Sequence, residues 1–197
     1  MSWYDRFSLM YDASLEKTYR ESRSAAVAAL CLNPGDTVVD LACGTGQSFS
    51  PLRDAVGEEG RIVGVDLSPG MLSQSKKRIE REGWTNVTVH EGRAETAPVT
   101  QADALFCALG FTTFPDWEQV FQTLWEQLQP GTTVGIFDVI GEPWTPQKPI
   151  VEWMAQADLD RRVYEPLERM GTNYRYTTLP GSPWVFGGTL FVGVATR

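Results

Sequence analysis

Histidine and cysteine are scarce: the 197 residues hold one histidine, His90, and three cysteines, Cys31, Cys43 and Cys107. A structural zinc site needs about four such ligands at short spacings, and none can be assembled here. An odd number of widely spaced cysteines in apolar surroundings is no disulfide framework; it fits reduced thiols in a core. No segment approaches the roughly 18 apolar residues of a membrane span. Basic residues are also few, 17 Lys and Arg against 25 Asp and Glu. A net charge of -8 argues against binding nucleic acid, which relies on Lys and Arg to neutralise phosphates. The opening "MSWYDRFSLMYD" carries two aspartates and no unbroken apolar stretch, so it is not a secretory signal, and the expected location is the cytoplasm.

What is present is a regular alternation. "LEKTYRESRSAAVAAL", 15–30, is rich in helix formers and stops at "CLNPGD". "TVVDLA" then reads as a strand, "GTGQSFSPLRDAVG" as a turn into a helix, and "RIVGVDLS" as a second strand. "PGMLSQSKKRIEREG" is a helix with Pro69 at an early position and Gly83 as its stop. "VTVHEG", "ADALFCALGF" and "TTVGIFDVIG" supply three more strands, with the helix "DWEQVFQTLWEQLQPG" before the last. After a helical "IVEWMAQADLDRRVYEPLERMG", the runs "NYRYTTL" and "GGTLFVGVATR" predict an antiparallel hairpin. The whole chain, 1–197, reads as one α/β domain: a doubly wound, mostly parallel seven-stranded sheet with an antiparallel C-terminal hairpin.

In such a sheet a ligand binds beyond the carboxyl ends of the strands, and the first strand-to-helix turn is its usual cradle. That turn is "VVDLACGTGQ". A dinucleotide fingerprint needs a third glycine where this chain has Phe49, and a phosphate loop needs a Gly-Lys-Ser/Thr that is missing. Asp40, just before the turn, would repel phosphates and attract an ammonium group. Asp66, at the end of the second strand, stands where an acid binds ribose hydroxyls. Either aspartate would also serve as an ordinary cap at a helix start.

Taken together, "VVDLACGTGQ", "GVDLSPGML", "VHEGRAE" and "LQPGTTVGIFDV" resemble the successive motifs of class I S-adenosylmethionine-dependent methyltransferases, over roughly residues 15–140. The resemblance implies a Rossmann-like fold and S-adenosylmethionine as cofactor. It places the methionine part on Asp40, Ala42, Gly44, Thr45 and Gly46, the ribose on Asp66, and the adenine between Leu67 and Met71. Arg93 and Ala94 lie on the adenine edge; the family commonly has an aspartate in place of Arg93, so the backbone of Ala94 is the expected contact. Residues 1–30 form a helical lid, with Tyr4, Tyr11 and Tyr19 closing over the cofactor and Arg23 nearby. Residues 141–172 form a substrate-side insert.

The acceptor is less legible, because displacement at a sulfonium needs alignment more than acid or base chemistry. The opening segment resembles small-molecule, ubiquinone/menaquinone and phosphatidylethanolamine methyltransferases, and the tail resembles phospholipid and betaine-lipid N-methyltransferases. Those resemblances imply a small-molecule or lipid head-group amine as acceptor, with carbon or oxygen methylation of a quinone or phenol as the alternative. A dehydrogenase and a non-catalytic cofactor-binding module are the readings from other classes. Trp144, Trp153, Tyr174, Tyr176 and Trp184 would either box a methylated ammonium by cation-π contact or be ordinary core. Arg161, Arg162 and Arg175 would pair with an acceptor anion or lie on a solvated face. Trp3, Phe7 and Met10 allow at most weak contact with a membrane surface, because the acidity opposes it. If a general base is used, the candidates are Asp138, His90 and Tyr11, with Asp138 favoured by its place near the end of the fifth strand.

Overall fold

The computed structural model describes residues 19–197. A helix over 19–29 (α1) leads into a repeating strand-helix pattern. It runs through β1 (Thr37–Leu41), α2 (Phe49–Val56), β2 (Arg61–Asp66), α3 (Pro69–Glu82) and β3 (Val87–Glu91). It continues with β4 (Ala104–Ala108), α4 (Trp117–Gln127) and β5 (Thr133–Gly141). The strands form one sheet in the order β3-β2-β1-β4-β5-β7-β6, in which β1 to β5 are parallel. The order reverses between β1 and β4, and that switch point lies beside the glycine turn.

Local chemistry explains the element ends. The Ser68 hydroxyl accepts from Met71 N at 3.3 Å to cap α3, Pro69 occupies its first turn, and Gly83 ends it in a left-handed conformation at φ 66°. The central strands read as continuous apolar runs because both sheet faces are covered. One face packs on α1, α2 and α3 through Val27, Leu30, Phe49, Leu52 and Leu72. The other packs on α4 through Val120, Phe121, Leu124 and Trp125, together with Leu167.

The tail differs from the sequence expectation in one respect. The single helix expected over 150–171 is two, α5 (Lys148–Ala155) and α6 (Glu165–Met170). Gln156 adopts φ 51° at the end of α5, and the side chain of Glu152 accepts from Leu159 N at 3.1 Å, folding the chain back before Pro166 can start α6. The predicted hairpin is β6 (Thr172–Thr178) with β7 (Gly188–Thr196), and the loop between them contains the short α7 (Pro183–Phe186). β7 pairs antiparallel with β5 over nine residues and carries β6 on its outer edge. Of the cysteines, Cys43 and Cys107 are buried free thiols, as expected, whereas Cys31 is exposed at the end of α1.

Candidate active site

A cavity of about 480 Å³ opens at the carboxyl ends of β1, β2, β4 and β5. Its floor is the turn after β1, from Leu41 to Thr45. Two residues with side chains hold left-handed backbone there, Ala42 at φ 52° and Leu109 at φ 60°. Such strain persists only where surrounding structure fixes it, and it concentrates at functional sites. Gly110 allows β4 to come this close: a Cβ on it would sit 2.9 Å from the Cβ of Ala42 and 2.7 Å from the sulfur of Cys107. Gly46 is required for two reasons, a φ of 77° and a built Cβ only 2.5 Å from the ring of Phe49. Phe49, the residue that replaces a third glycine, thus buttresses the turn.

The turn is held from beneath by α3. The hydroxyl of Ser75 donates to Gly44 O at 2.6 Å, and Nε of Arg78 donates to Thr45 O at 3.1 Å. From β2, Asp66 accepts from Gly44 N at 2.8 Å and Ser68 N at 2.9 Å, and its partial burial raises its pKa. Asp66 lines the cavity while bracing the turn, so the capping and ligand roles coincide. Leu67 and Met71 line the same wall; Leu67 is 63% exposed, a large apolar side chain presented to the opening. Arg93 and Ala94 complete this end, with Arg93 turned to Glu95 at 2.9 Å.

Asp40 is placed one layer deeper than the sequence suggests. It is fully buried and absent from the cavity lining, and neither carboxylate oxygen has a hydrogen-bond partner among the described residues. Burial pushes its pKa up to about 7, opposed by the charge of Arg23 and reinforced by that of Asp66. An unpaired carboxylate at this depth is costly until a cation approaches. A cationic ligand on the floor supplies that compensation through the field of Asp40 rather than by direct contact. Arg23, buried on α1, lines the wall; its guanidinium donates to Ser48 Oγ and Gln47 Oε1, both at 3.1 Å, and lies 5.8 Å from the centroid of Phe137. Tyr19 lines the cavity beside it, its ring 4.5 Å from that of Phe186.

The far half of the cavity is walled by Leu109, Val139, Val151, Ala155, Ala157 and Leu159. Asp138 lines the same cavity and is 1% exposed. Its Oδ1 accepts from Thr112 Oγ1 at 2.8 Å and from Val139 N at 2.9 Å, and its Oδ2 accepts from Thr112 N at 3.3 Å. Burial outweighs these bonds and raises its pKa to about 6.

The other candidates stand elsewhere. His90 is exposed on β3 and does not line the cavity, although Gly92, Arg93 and Ala94 just beyond that strand do. Tyr4 and Tyr11 lie outside the described residues, as does most of the expected lid. None of Trp144, Trp153, Tyr174, Tyr176 or Trp184 lines the cavity; Trp144 meets Trp184 edge-on, and Tyr176 stacks on Phe191. Arg161 is a tie rather than an anion receptor. It bonds the carbonyls of Thr112, at 3.3 Å, and Phe114, and pairs with Asp158 at 3.1 Å. Arg162 pairs with Glu165, and Arg175 donates to Ala29 O at 3.0 Å. Gln47, Ser48 and Thr112 also line the cavity and are not among the residues expected from the sequence. The first two directly follow the glycine turn and precede α2, a visible signal; nothing in "GFTTF" marks Thr112 as the partner of Asp138.

A methyltransferase domain family matches residues 38–131. The demethylmenaquinone methyltransferase of Shouchella clausii (strain KSM-K16) is 26% identical over 132 residues, 66% of this chain and 56% of that protein. The chain thus spans little more than half the length of the curated relatives it matches. Among solved structures, a SAM dependent methyltransferase from Aquifex aeolicus superposes with a TM-score of 0.71 at 18% identity, covering 98% of this chain and 97% of the other. Geranyl diphosphate C-methyltransferase from Streptomyces coelicolor A3(2), solved with S-adenosyl-L-homocysteine, gives 0.72 at 16% identity over 89% and 75%. Both share the fold described above.

Proposed function

We propose that this chain, a member of the class I S-adenosylmethionine-dependent methyltransferases, methylates an apolar acceptor bearing an ionisable hydroxyl, of the phenol or hydroquinone class. The observation that carries this is the buried carboxylate Asp138, with a pKa near 6, in a cavity wall whose described residues include Leu109, Phe114, Val139, Val151 and Leu159. Bound S-adenosylmethionine supplies an electrophilic methyl on a sulfonium sulfur. The floor from Ala42 to Thr45 and the field of Asp40 and Asp66 would hold its cationic part. Leu67 and Met71 would flank its adenine.

On the acceptor side the aliphatic wall excludes water and positions a flat ring. Oδ2 of Asp138 accepts the hydroxyl proton, which leaves the ring electron-rich at oxygen and at the adjacent carbons. Thr112 keeps the carboxylate aimed and takes no proton itself. The named activity of the demethylmenaquinone relative supports this reading. The amine alternative loses its aromatic box, whose five members stand outside the cavity.

The test is transfer from methyl-labelled S-adenosylmethionine to a panel of reduced quinones, phenols and phosphatidylethanolamine, with organic products separated by chromatography. The reading expects label on a hydroxylated ring. Label on the amine alone overturns the acceptor assignment.

A further inference from the structure

A second cavity, of about 370 Å³, is lined by residues of α1, α2 and α3 together with Gln47. Four arginines line it: Arg20 and Arg23 from α1, and Arg78 and Arg81 from α3. Asp54 and Glu82 line it as well, and Arg81 pairs with Glu82 at 2.8 Å. In a chain with eight more acidic than basic residues, four of its thirteen arginines converge on one recess. The guanidinium offers five donors in a fixed fork and suits phosphate oxygens better than a lysine does.

Two of these side chains are fixed in place. Arg78 is held by the carbonyl of Thr45, and Arg23 by Gln47 and Ser48, so their charges are set in position by the fold. Trp84, half-buried, closes one end with an aromatic surface. Arg23 and Gln47 line both cavities and form the wall between them.

We infer that this recess is a second ligand site, distinct from the cofactor cavity, for a phosphate-bearing anion. Either a soluble phosphorylated molecule or the phosphate of a lipid head group presents that chemistry. The inference does not depend on the acceptor assignment, and its test uses binding alone.

The experiment is calorimetric titration of inorganic pyrophosphate into the full chain at low salt, with the cofactor cavity saturated by S-adenosylhomocysteine. Saturable binding is expected, weakening as salt rises. In the double variant Arg20→Ala/Arg81→Ala, chosen from the exposed rim, pyrophosphate affinity should fall at least tenfold while S-adenosylhomocysteine affinity is retained. Absence of binding, unchanged binding in the double variant, or binding abolished by S-adenosylhomocysteine would each overturn the inference. Sedimentation with phosphatidylglycerol vesicles distinguishes the two sources. Co-sedimentation displaced by pyrophosphate assigns a lipid head group, and pyrophosphate binding without co-sedimentation assigns a soluble ligand.

Discussion

The hydroxyl of Thr112 donates to Oδ1 of Asp138 at 2.8 Å, fastening the segment after β4 to β5 at the cavity wall. The bond aims the carboxylate while burial keeps its pKa near 6. Methyl transfer to a hydroxylated ring should therefore rise with pH through about 6 and level above it. Asp138→Asn should lower kcat by roughly 100-fold, within the usual range for a general base, and remove that inflection. Thr112→Val should shift the inflection with a smaller loss. A pH profile of single-turnover rates checks both.

Arg161 acts at one remove. It clasps the carbonyls of Thr112 and Phe114, so Arg161→Ala should loosen the turn that carries Thr112. A several-fold rise in KM for the acceptor is expected, with the dissociation constant of S-adenosylmethionine unchanged. Steady-state kinetics beside a cofactor titration separates the two.

Gly46→Ala tests the glycine turn. The added Cβ meets the ring of Phe49 at 2.5 Å with the backbone at φ 77°, so the turn cannot keep its shape. A cost on the order of 1–3 kcal/mol, read from denaturant unfolding, is expected with loss of cofactor binding.

The two buried carboxylates predict a pH dependence of stability. Both Asp40 and Asp138 have folded pKa values above the ordinary 3.8, at about 7 and about 6. The folded state therefore binds more protons than the unfolded state, and their contribution to stability is full below about pH 4 and declines as pH rises toward 7. For Asp40 this amounts to on the order of 3 kcal/mol. Asp40→Asn should flatten the fall in Tm of the ligand-free protein between pH 4 and 7. An unchanged slope would contradict the assignment.

How much of this was legible in the sequence follows from which interactions are local. The glycine turn, the Pro69 and Gly83 signals and the alternating strands are encoded within a few residues of themselves, and they predicted the order of elements closely. The split of 150–171 depends on Glu152 accepting from Leu159 N and on a left-handed Gln156, neither of which disturbs the apolar pattern. His90 and Asp138 look alike in sequence, each near a strand end. Only the folded chain shows that Asp138 is buried in the cavity wall while the side chain of His90 is exposed to solvent. The five aromatics of the expected box are spread over 144–184, and none of them is among the residues that line the cavity.

The central claim is that the buried charge of Asp40 and the glycine turn form a seat for cationic S-adenosylmethionine. It is tested most directly by calorimetric titration at pH 7 in two buffers of different ionisation enthalpy. With a pKa of about 7, Asp40 is partly protonated before binding and should ionise on it, releasing about half a proton. The account predicts an enthalpy that differs between the buffers, and an Asp40→Asn variant that loses both that difference and affinity on the order of tenfold. A buffer-independent enthalpy, with wild-type affinity in the variant, would contradict it.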